Sequence, residues 1–132
     1  MNTSYPIYYV DGFNVGSNPS LTGGYTITDN TGKILLREIL KGTPDSLITC
    51  NEAEFRGLCK AIELAEPHST IYTDSQNNIN WLNLGFPKKS KRKDLIPLAR
   101  QYNELYIAKS LNIVWTKRDD NLAGIQNEDN PM

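Results

Sequence analysis

The hydrophobic and polar positions of the first forty residues follow the period of β-strands. Residues 5–11, 24–29 and 33–40 are rich in β-branched and aromatic side chains, which is typical of strands. A stretch rich in Gly, Ser, Asn and Pro separates the first two segments, and a turn sequence at residues 29–32 separates the last two. We therefore predict an antiparallel meander of three strands in the first third of the chain.

From Asn51 the pattern changes to the period of a helix. Apolar residues between 55 and 65 recur three or four positions apart, as on one face of a helix, and Pro67 ends this segment. The following elements are then predicted in chain order: a short buried strand at 70–73, a helix at 75–83, a helix at 95–106, a strand at 112–117 and a short helix after Asn121. The order favours an α/β fold with a mixed five-stranded sheet covered by helices.

Length and composition are those of one small globular domain, which we predict over residues 1–132. No apolar run approaches the roughly 20 residues that span a membrane, so we expect no membrane partner. The N-terminus lacks a basic segment followed by an apolar stretch, and we expect a cytoplasmic protein. The net charge of −1 argues against a generally basic nucleic-acid binder, yet five basic residues fall in one short segment: Lys88, Lys89, Lys91, Arg92 and Lys93.

Two aspartates stand where predicted strands end, and a glutamate opens the first predicted helix. Asp11 follows the first strand, Asp74 follows the strand at 70–73, and Glu54 lies in the first helical turn. If the two strands are neighbours, both aspartates face one site. Carboxylates held close together repel each other, and a hard divalent cation with oxygen ligands relieves that repulsion. The pattern therefore indicates a magnesium site.

Each acid also has a purely structural interpretation. Asn51 and Glu54 have the spacing of a capping arrangement. Asp11 with its following glycine could be an ordinary turn, and Asp74 with its following serine could be a helix cap. No single acid decides between the two interpretations, but their joint order carries more information.

Three segments resemble, in order, the motifs of type 1 ribonucleases H. Residues 10–12 with the Gly-Ser-Asn-Pro stretch at 16–19 resemble the first motif. Residues 49–55 resemble the second, in which a glutamate opens a helix, and residues 71–76 resemble the third, a strand end that carries the central metal ligand. The resemblance covers nearly the whole chain and implies the ribonuclease H-like fold.

This resemblance implies a nuclease that cuts the RNA strand of an RNA–DNA hybrid. By that resemblance, Asp11, Glu54 and Asp74 coordinate two Mg²⁺ ions, for which Mn²⁺ could substitute, and the products carry a 5′-phosphate and a 3′-hydroxyl. Contacts to 2′-hydroxyls would select RNA, and the candidates are Gly12, Asn14, Asn51 and Gln76. The partner is then a hybrid duplex bound by a monomer, with its phosphates held by the basic residues between 88 and 93.

The sequence departs from the family in the loop before the last predicted helix. Many members carry a histidine there, whereas the only histidine of this chain is His68, in an earlier connection. Arg118 stands in the corresponding loop and is a candidate for assisting product release.

The fourth carboxylate of the family is the second departure. Gly124 and Ile125 stand where an alignment on Asn121 expects an acid, and neither side chain can bind a cation. Residues four apart share a helix face, so we predict that Glu128, one turn after Gly124, supplies this ligand. Its rivals are the two aspartates at positions 119 and 120.

Two alternative functions stay open on the sequence alone. The first is a hybrid-binding or protein-interaction module that kept the fold and lost catalysis, which a missing metal carboxylate would favour. The second is another nuclease on the same scaffold, such as a junction resolvase or a transposase-like enzyme. The short chain and the polar motif at 49–55 argue against the second alternative.

Overall fold

Five strands and four helices make up the residues that the computed structural model describes, which are 5–85 and 94–129. The strands are β1 (Ile7–Asn14), β2 (Thr22–Asp29), β3 (Ile34–Lys41), β4 (Thr70–Thr73) and β5 (Asn112–Trp115). The helices are α1 (Cys50–Leu64), α2 (Gln76–Leu84), α3 (Leu95–Ala108) and α4 (Leu122–Asp129), with a short 3₁₀ turn at Arg118–Asp120. None of these helices combines the length and the apolar character that crossing a membrane requires. The predicted order of elements is confirmed.

The strands form one mixed five-stranded sheet, as predicted, and their order in it is β3-β2-β1-β4-β5. The three strands of the meander pair antiparallel, whereas β1 with β4 and β4 with β5 pair parallel. The first strand of the chain is therefore the central strand of the sheet. Its parallel register with β4 ends at the pair Val10 and Thr73, so that Asp11 and Asp74 come next on adjacent strands.

The first two strands are longer than predicted where they pair with each other. The strand predicted to stop at Asp11 continues through Asn14, because Gly12, Phe13 and Asn14 pair with Tyr25 and the two glycines before it. The interpretation of Asp11 and Gly12 as an ordinary turn is therefore wrong. β2 begins at residue 22 rather than 24 for the same reason, while β5 ends at residue 115 rather than 117, opposite the end of β4.

Helix α1 covers one face of the sheet and forms much of the core. Phe55, Leu58 and Ile62 are fully buried there, and each such side chain contributes roughly 1.5–3 kcal/mol of burial free energy. Gly57 lets the helix approach β2 closely, because a Cβ at this position would lie 2.7 Å from the Cβ of Tyr25. This close packing sets the height of α1 above the sheet and thereby fixes where its first turn lies.

A lysine from the end of α3 caps the C-terminus of α1. The Nζ of Lys109 donates to the carbonyl oxygens of Ile62, Glu63 and Ala65 at distances of 2.9, 2.8 and 2.9 Å. The last carbonyls of a helix lack partners within the helix, and a positive charge is favourable beside them. Lys109 therefore stabilises the end of α1 and ties α3 to it.

Candidate active site

Three carboxylates meet where β1 lies beside β4. One oxygen each from Asp11, Glu54 and Asp74 can be chosen so that all three lie within 4.8 Å of one another. Asp11 comes from the central strand, Asp74 directly follows β4, and Glu54 descends from the start of α1. The structure thus brings together the three acids that the sequence analysis singled out, in half-buried positions.

The helix caps at this end of the sheet do not use these acids. The N-cap of α1 is Thr49, whose hydroxyl accepts a hydrogen bond of 3.0 Å from the backbone N–H of Glu52. The N-cap of α2 is Ser75, through its own hydroxyl. The proposed capping roles of Glu54 and Asp74 are therefore wrong, and both carboxylates face the cluster instead.

Gly12 allows α1 to seat Glu54 directly against β1. A Cβ at Gly12 would lie 2.5 Å from both the Cγ and the backbone nitrogen of Glu54. Any side chain there would push the helix away from the strand and would displace the glutamate. Gly12, predicted as a substrate contact, is buried, and the structure gives it the role of admitting Glu54.

Burial raises the pKa values of all three acids, and charge repulsion adds to this effect at Asp11 and Glu54. Burial, followed by the charge of Asp74, raises the pKa of Asp11 to about 6. Burial, followed by the charges of Asp11 and Asp74, raises the pKa of Glu54 to about 8. Burial also raises the pKa of Asp74, while the guanidinium of Arg118 opposes this shift. With a pKa of about 8, the carboxyl group of Glu54 is mostly protonated at neutral pH until a cation neutralises its neighbours.

The donor set fits a hard divalent cation. Carboxylate oxygens are the ligands that Mg²⁺ and Mn²⁺ prefer. The raised pKa values of the three carboxyl groups indicate that a bound cation would stabilise their ionised forms. The thiol of Cys50 lies 3.9 Å from a carboxylate oxygen of Glu54. Burial, followed by the charge of Glu54, raises the pKa of this thiol to about 12, so that it stays protonated and is a poor ligand for a soft metal.

A cavity opens beside Asp11 and gathers several of the predicted site residues. Its lining comprises Asp11, Gly12, Phe13, Asn14, Cys50, Arg118, Gly124, Asn127 and Glu128. Arg118 faces the cavity from the 3₁₀ turn, and its charge lowers the pKa values of all three clustered acids. Glu128 lines the same cavity from α4 with an exposed side chain, but it does not belong to the three-acid group.

The other predicted substrate contacts lie at the ends of β1, α1 and α2. Asn51 and Gln76 are exposed at the starts of their helices. The carbonyl oxygen of Asn51 accepts a 3.3 Å hydrogen bond from the buried side chain of Asn78, which joins the starts of α1 and α2. Asn14 lines the cavity, and its Nδ2 donates to the carbonyl oxygen of Ile48 at 2.7 Å. Its amide is therefore already held in place.

The basic segment and the single histidine are the remaining features that the sequence singled out. The predicted phosphate-binding residues Lys88, Lys89, Lys91, Arg92 and Lys93 lie outside the described residues. His68 is exposed in the connection between α1 and β4, which leads to the opposite end of β4 from Asp74.

Two asparagines near the C-terminus were missed by the sequence analysis as site residues. Asn121 is fully buried, its Nδ2 donates to the carbonyl oxygen of Val10 at 2.9 Å, and its side chain lowers the pKa of Asp74. The Nδ2 of Asn127 donates to Oδ2 of Asp11 at 3.0 Å. A signal was present in the sequence, because Asn121, Gly124 and Asn127 recur every third position and thus share one face of the last helix.

Solved structures of similar fold are type 1 ribonucleases H. The ribonuclease H1 of Halobacterium salinarum matches with a TM-score of 0.63 and 20% identity, over 93% of each chain. The N-terminal ribonuclease H domain of Rv2228c from Mycobacterium tuberculosis gives a TM-score of 0.60 and 24% identity, over 89% of this chain and 86% of that one. The LC11 ribonuclease H1, isolated from compost and solved in complex with an RNA/DNA hybrid, gives a TM-score of 0.58 and 23% identity, over 88% of each chain. No protein-family model matches the sequence, and no curated protein does. The chain therefore has the fold of type 1 ribonucleases H, as the resemblance of its three motifs implied.

Proposed function

We propose that this chain is a divalent-metal-dependent ribonuclease H that hydrolyses the RNA strand of RNA–DNA hybrids. The observation that carries the proposal is the cluster of Asp11, Glu54 and Asp74 at the junction of β1 and β4. Its place in a ribonuclease H fold supports the reaction class. The LC11 enzyme of similar fold was solved with an RNA/DNA hybrid, which supports this substrate class.

The chain's own residues divide the work of holding the metal and the substrate. Two Mg²⁺ ions bound at the cluster would supply activation of a water for in-line attack and stabilisation of the leaving 3′ oxygen. Asp11 and Asp74 offer oxygens from two hydrogen-bonded strands, so that their separation is fixed by the sheet. Glu54 approaches from α1 and must give up its proton when cations bind, because its pKa is about 8 without them. The products carry a 5′-phosphate and a 3′-hydroxyl.

Arg118 is assigned to product release. It lines the cavity beside Asp11, and its guanidinium lowers the pKa values of the clustered acids. A guanidinium binds phosphate through two parallel hydrogen bonds. It would therefore stabilise the new 5′-phosphate as this group leaves the metal cluster.

Small polar groups around the cluster are assigned to the choice of RNA. Asn14 lines the cavity, while Asn51 and Gln76 are exposed at helix starts on the same edge of the sheet. Amides of this kind hydrogen-bond the 2′-hydroxyl, which distinguishes RNA from DNA. The five basic residues between 88 and 93 would add phosphate contacts, which raise affinity without selecting sequence.

Glu128 is proposed as the fourth metal carboxylate. It lines the same cavity as Asp11 and lies one turn beyond Gly124. A Cβ at Gly124 would stand 3.4 Å from Oδ2 of Asp11, which places this helix face against the cluster. Because the side chain of Glu128 is exposed, it can turn toward the cluster without losing packing. The rivals Asp119 and Asp120 are exposed in the 3₁₀ turn before the helix.

Cleavage assays on matched duplexes test this function. Labelled RNA–DNA hybrid, double-stranded RNA and double-stranded DNA of one sequence are each incubated with Mg²⁺, with Mn²⁺ and with chelator. We expect cleavage of only the RNA strand, only in the hybrid and only with metal, with 5′-phosphate ends. Cleavage of double-stranded DNA would assign the chain to another class of nuclease on this fold.

A hybrid-binding module without catalysis is the second candidate. One observation favours it: α4 presents a glycine, Gly124, rather than an acid against Asp11. Hybrid affinity without cleavage in either metal would establish this alternative and exclude the first.

A further inference from the structure

The side-chain amide of Asn127 contacts Asp11 at two points. Its Nδ2 donates to Oδ2 of Asp11 at 3.0 Å and lies 3.5 Å from the carbonyl oxygen of the same residue. A donated hydrogen bond favours the ionised carboxylate, in opposition to its burial. The amide therefore holds both the side chain and the backbone of this metal-binding strand position.

A buried threonine binds the other end of the Asn127 amide. Thr26 is the cross-strand partner of Asp11 in the pairing of β1 with β2, and it has no exposed surface. Its hydroxyl donates to Oδ1 of Asn127 at 2.5 Å. Because an ionised carboxylate only accepts hydrogen bonds, the amide nitrogen faces Asp11 and the amide oxygen accepts from Thr26. Thr26, Asn127 and Asp11 thus form one chain of hydrogen bonds from the sheet interior to the cluster.

The last segment also reaches the neighbourhood of the second aspartate. Asn121 donates to the carbonyl oxygen of Val10 at 2.9 Å, and its side chain lowers the pKa of Asp74. The helix face that meets the cluster therefore carries an amide toward each aspartate, one at its start and one two turns later. Between them, Gly124 contributes no side chain at all.

The geometry points to Asn127 as a positioning residue that holds Asp11 in the orientation that binds metal ions, without itself contacting metal or substrate. The inference rests on the proposed function, because it concerns how a metal ligand of that site is held. Partners that orient metal ligands change metal affinity or activity by about 10–100-fold when they are removed. A loss of this size, confined to metal binding and turnover, is the expected signature of Asn127.

Gln126 provides the matched control. It is the neighbour of Asn127 on α4, and its Nε2 donates to the carbonyl oxygen of Gly32 at 2.9 Å. Gln126→Ala therefore removes an amide tether of the same chemistry, but one that leads to the turn between β2 and β3 rather than to Asp11. If Asn127 were only a tether of α4, the two alanine variants would behave alike.

The experiment compares the parent protein with Asn127→Ala, Gln126→Ala, Thr26→Val and the double variant of positions 26 and 127. Calorimetric titration with Mg²⁺ gives metal affinity, denaturant unfolding gives stability without metal, and kinetics on labelled hybrid separate kcat from KM. We expect Asn127→Ala to weaken Mg²⁺ affinity and lower kcat by about tenfold with little change in KM. Thr26→Val should also lower the Mg²⁺ affinity and kcat, but by a smaller factor. The double variant should have the same Mg²⁺ affinity and kcat as Asn127→Ala, because Thr26 acts through Asn127. Gln126→Ala should keep the parent's Mg²⁺ affinity and kcat.

Several outcomes would overturn the inference. If Asn127→Ala keeps the Mg²⁺ affinity and the kcat of the parent protein, Asn127 is not a positioning residue. Equal losses in Gln126→Ala would assign the effect to docking of α4, and additive losses in the double variant would break the hydrogen-bonded chain through Thr26. A parent protein that binds Mg²⁺ through this arrangement yet cuts no hybrid would reject the proposed function and leave the inference intact.

Discussion

At the scale of single residues, Glu54 determines how the cluster responds to pH. Its pKa lies near 8 because of burial and then the charges of Asp11 and Asp74, so that the carboxyl group is mostly protonated at pH 7 without metal. Metal ligands must be deprotonated to bind. The proposed function therefore implies that metal binding and proton release are coupled at this residue.

We expect Mg²⁺ binding at pH 7 to release about one proton and the affinity to rise between about pH 6 and pH 8, the pKa values of Asp11 and Glu54. Calorimetry in buffers of different ionisation enthalpy measures the released protons. Glu54→Gln, which has no proton to lose, serves as the control and should release fewer. A Mg²⁺ affinity that stays constant across this range would contradict the raised pKa values.

Asp74 is the residue whose charge raises the pKa values of both neighbours. Their folded pKa values of about 6 and about 8 exceed the ordinary 3.8 and 4.5. With respect to these two groups, the metal-free protein is therefore most stable below about pH 4. It loses stability as the pH rises through the folded pKa values of about 6 for Asp11 and about 8 for Glu54. Asp74→Asn should abolish cleavage, because a ligand is lost, and should raise metal-free stability at pH 8 more than at pH 5. Unfolding midpoints in chelator test the expected stability, and cleavage assays in Mg²⁺ test the expected loss of activity. Retained cleavage by Asp74→Asn would refute its role as a metal ligand.

At the scale of elements, α4 is the helix whose contribution to the site is least like that of the family. Glu128→Gln should weaken the Mg²⁺ dependence and reduce turnover by orders of magnitude, whereas Asp120→Asn should cost little. Activity measured over a Mg²⁺ titration compares the two variants. Parent activity in Glu128→Gln together with an inactive Asp120→Asn would move the fourth ligand to the 3₁₀ turn.

The contact of α3 with the end of α1 predicts a stability effect far from the cluster. Lys109→Met removes three hydrogen bonds from a charged donor and should lower the free energy of unfolding by about 2 kcal/mol. Lys60→Met, which removes only an exposed ion pair with Glu63 on α1, should change it by less than about 1 kcal/mol. Denaturant unfolding measures both. Equal effects would show that the cap contributes nothing beyond a surface charge.

At the scale of the whole molecule, the sequence predicted what short-range patterns encode and missed what distant contacts decide. The spacing of apolar residues predicted the order of the strands and helices. The three motifs predicted which acids form the cluster. The end of β1 was misplaced, because Gly12 and Asn14 favour turns locally and only their pairing with β2 keeps them extended. Asn127 was missed as a partner of Asp11 because the two residues lie 116 positions apart.

The distribution of charge over the molecule predicts a separate role for the basic residues between 88 and 93, which carry much of the positive charge of a nearly neutral chain. Replacing all five with neutral residues should raise KM more than it lowers kcat. Each lost phosphate contact should reduce the logarithmic salt slope of hybrid affinity by roughly 0.9. Lys60→Gln, on α1, is the single-site control and should leave the slope unchanged. An unaltered salt slope of hybrid affinity in the fivefold variant would show that these residues do not contact phosphate.

β1 is the central strand of the sheet, yet it is synthesised before every element that packs beside it. Its partners come much later in the chain: β4 at residues 70–73, then Asn121 and Asn127, which hydrogen-bond to β1 across 111 and 116 positions. Contacts over such separations form slowly, because a long loop must close first. A nascent chain can therefore display its meander and α1 while the cluster is still unassembled. The contacts that hold Asp11 and the backbone of Val10 can therefore form only after residues 121–127 have been synthesised.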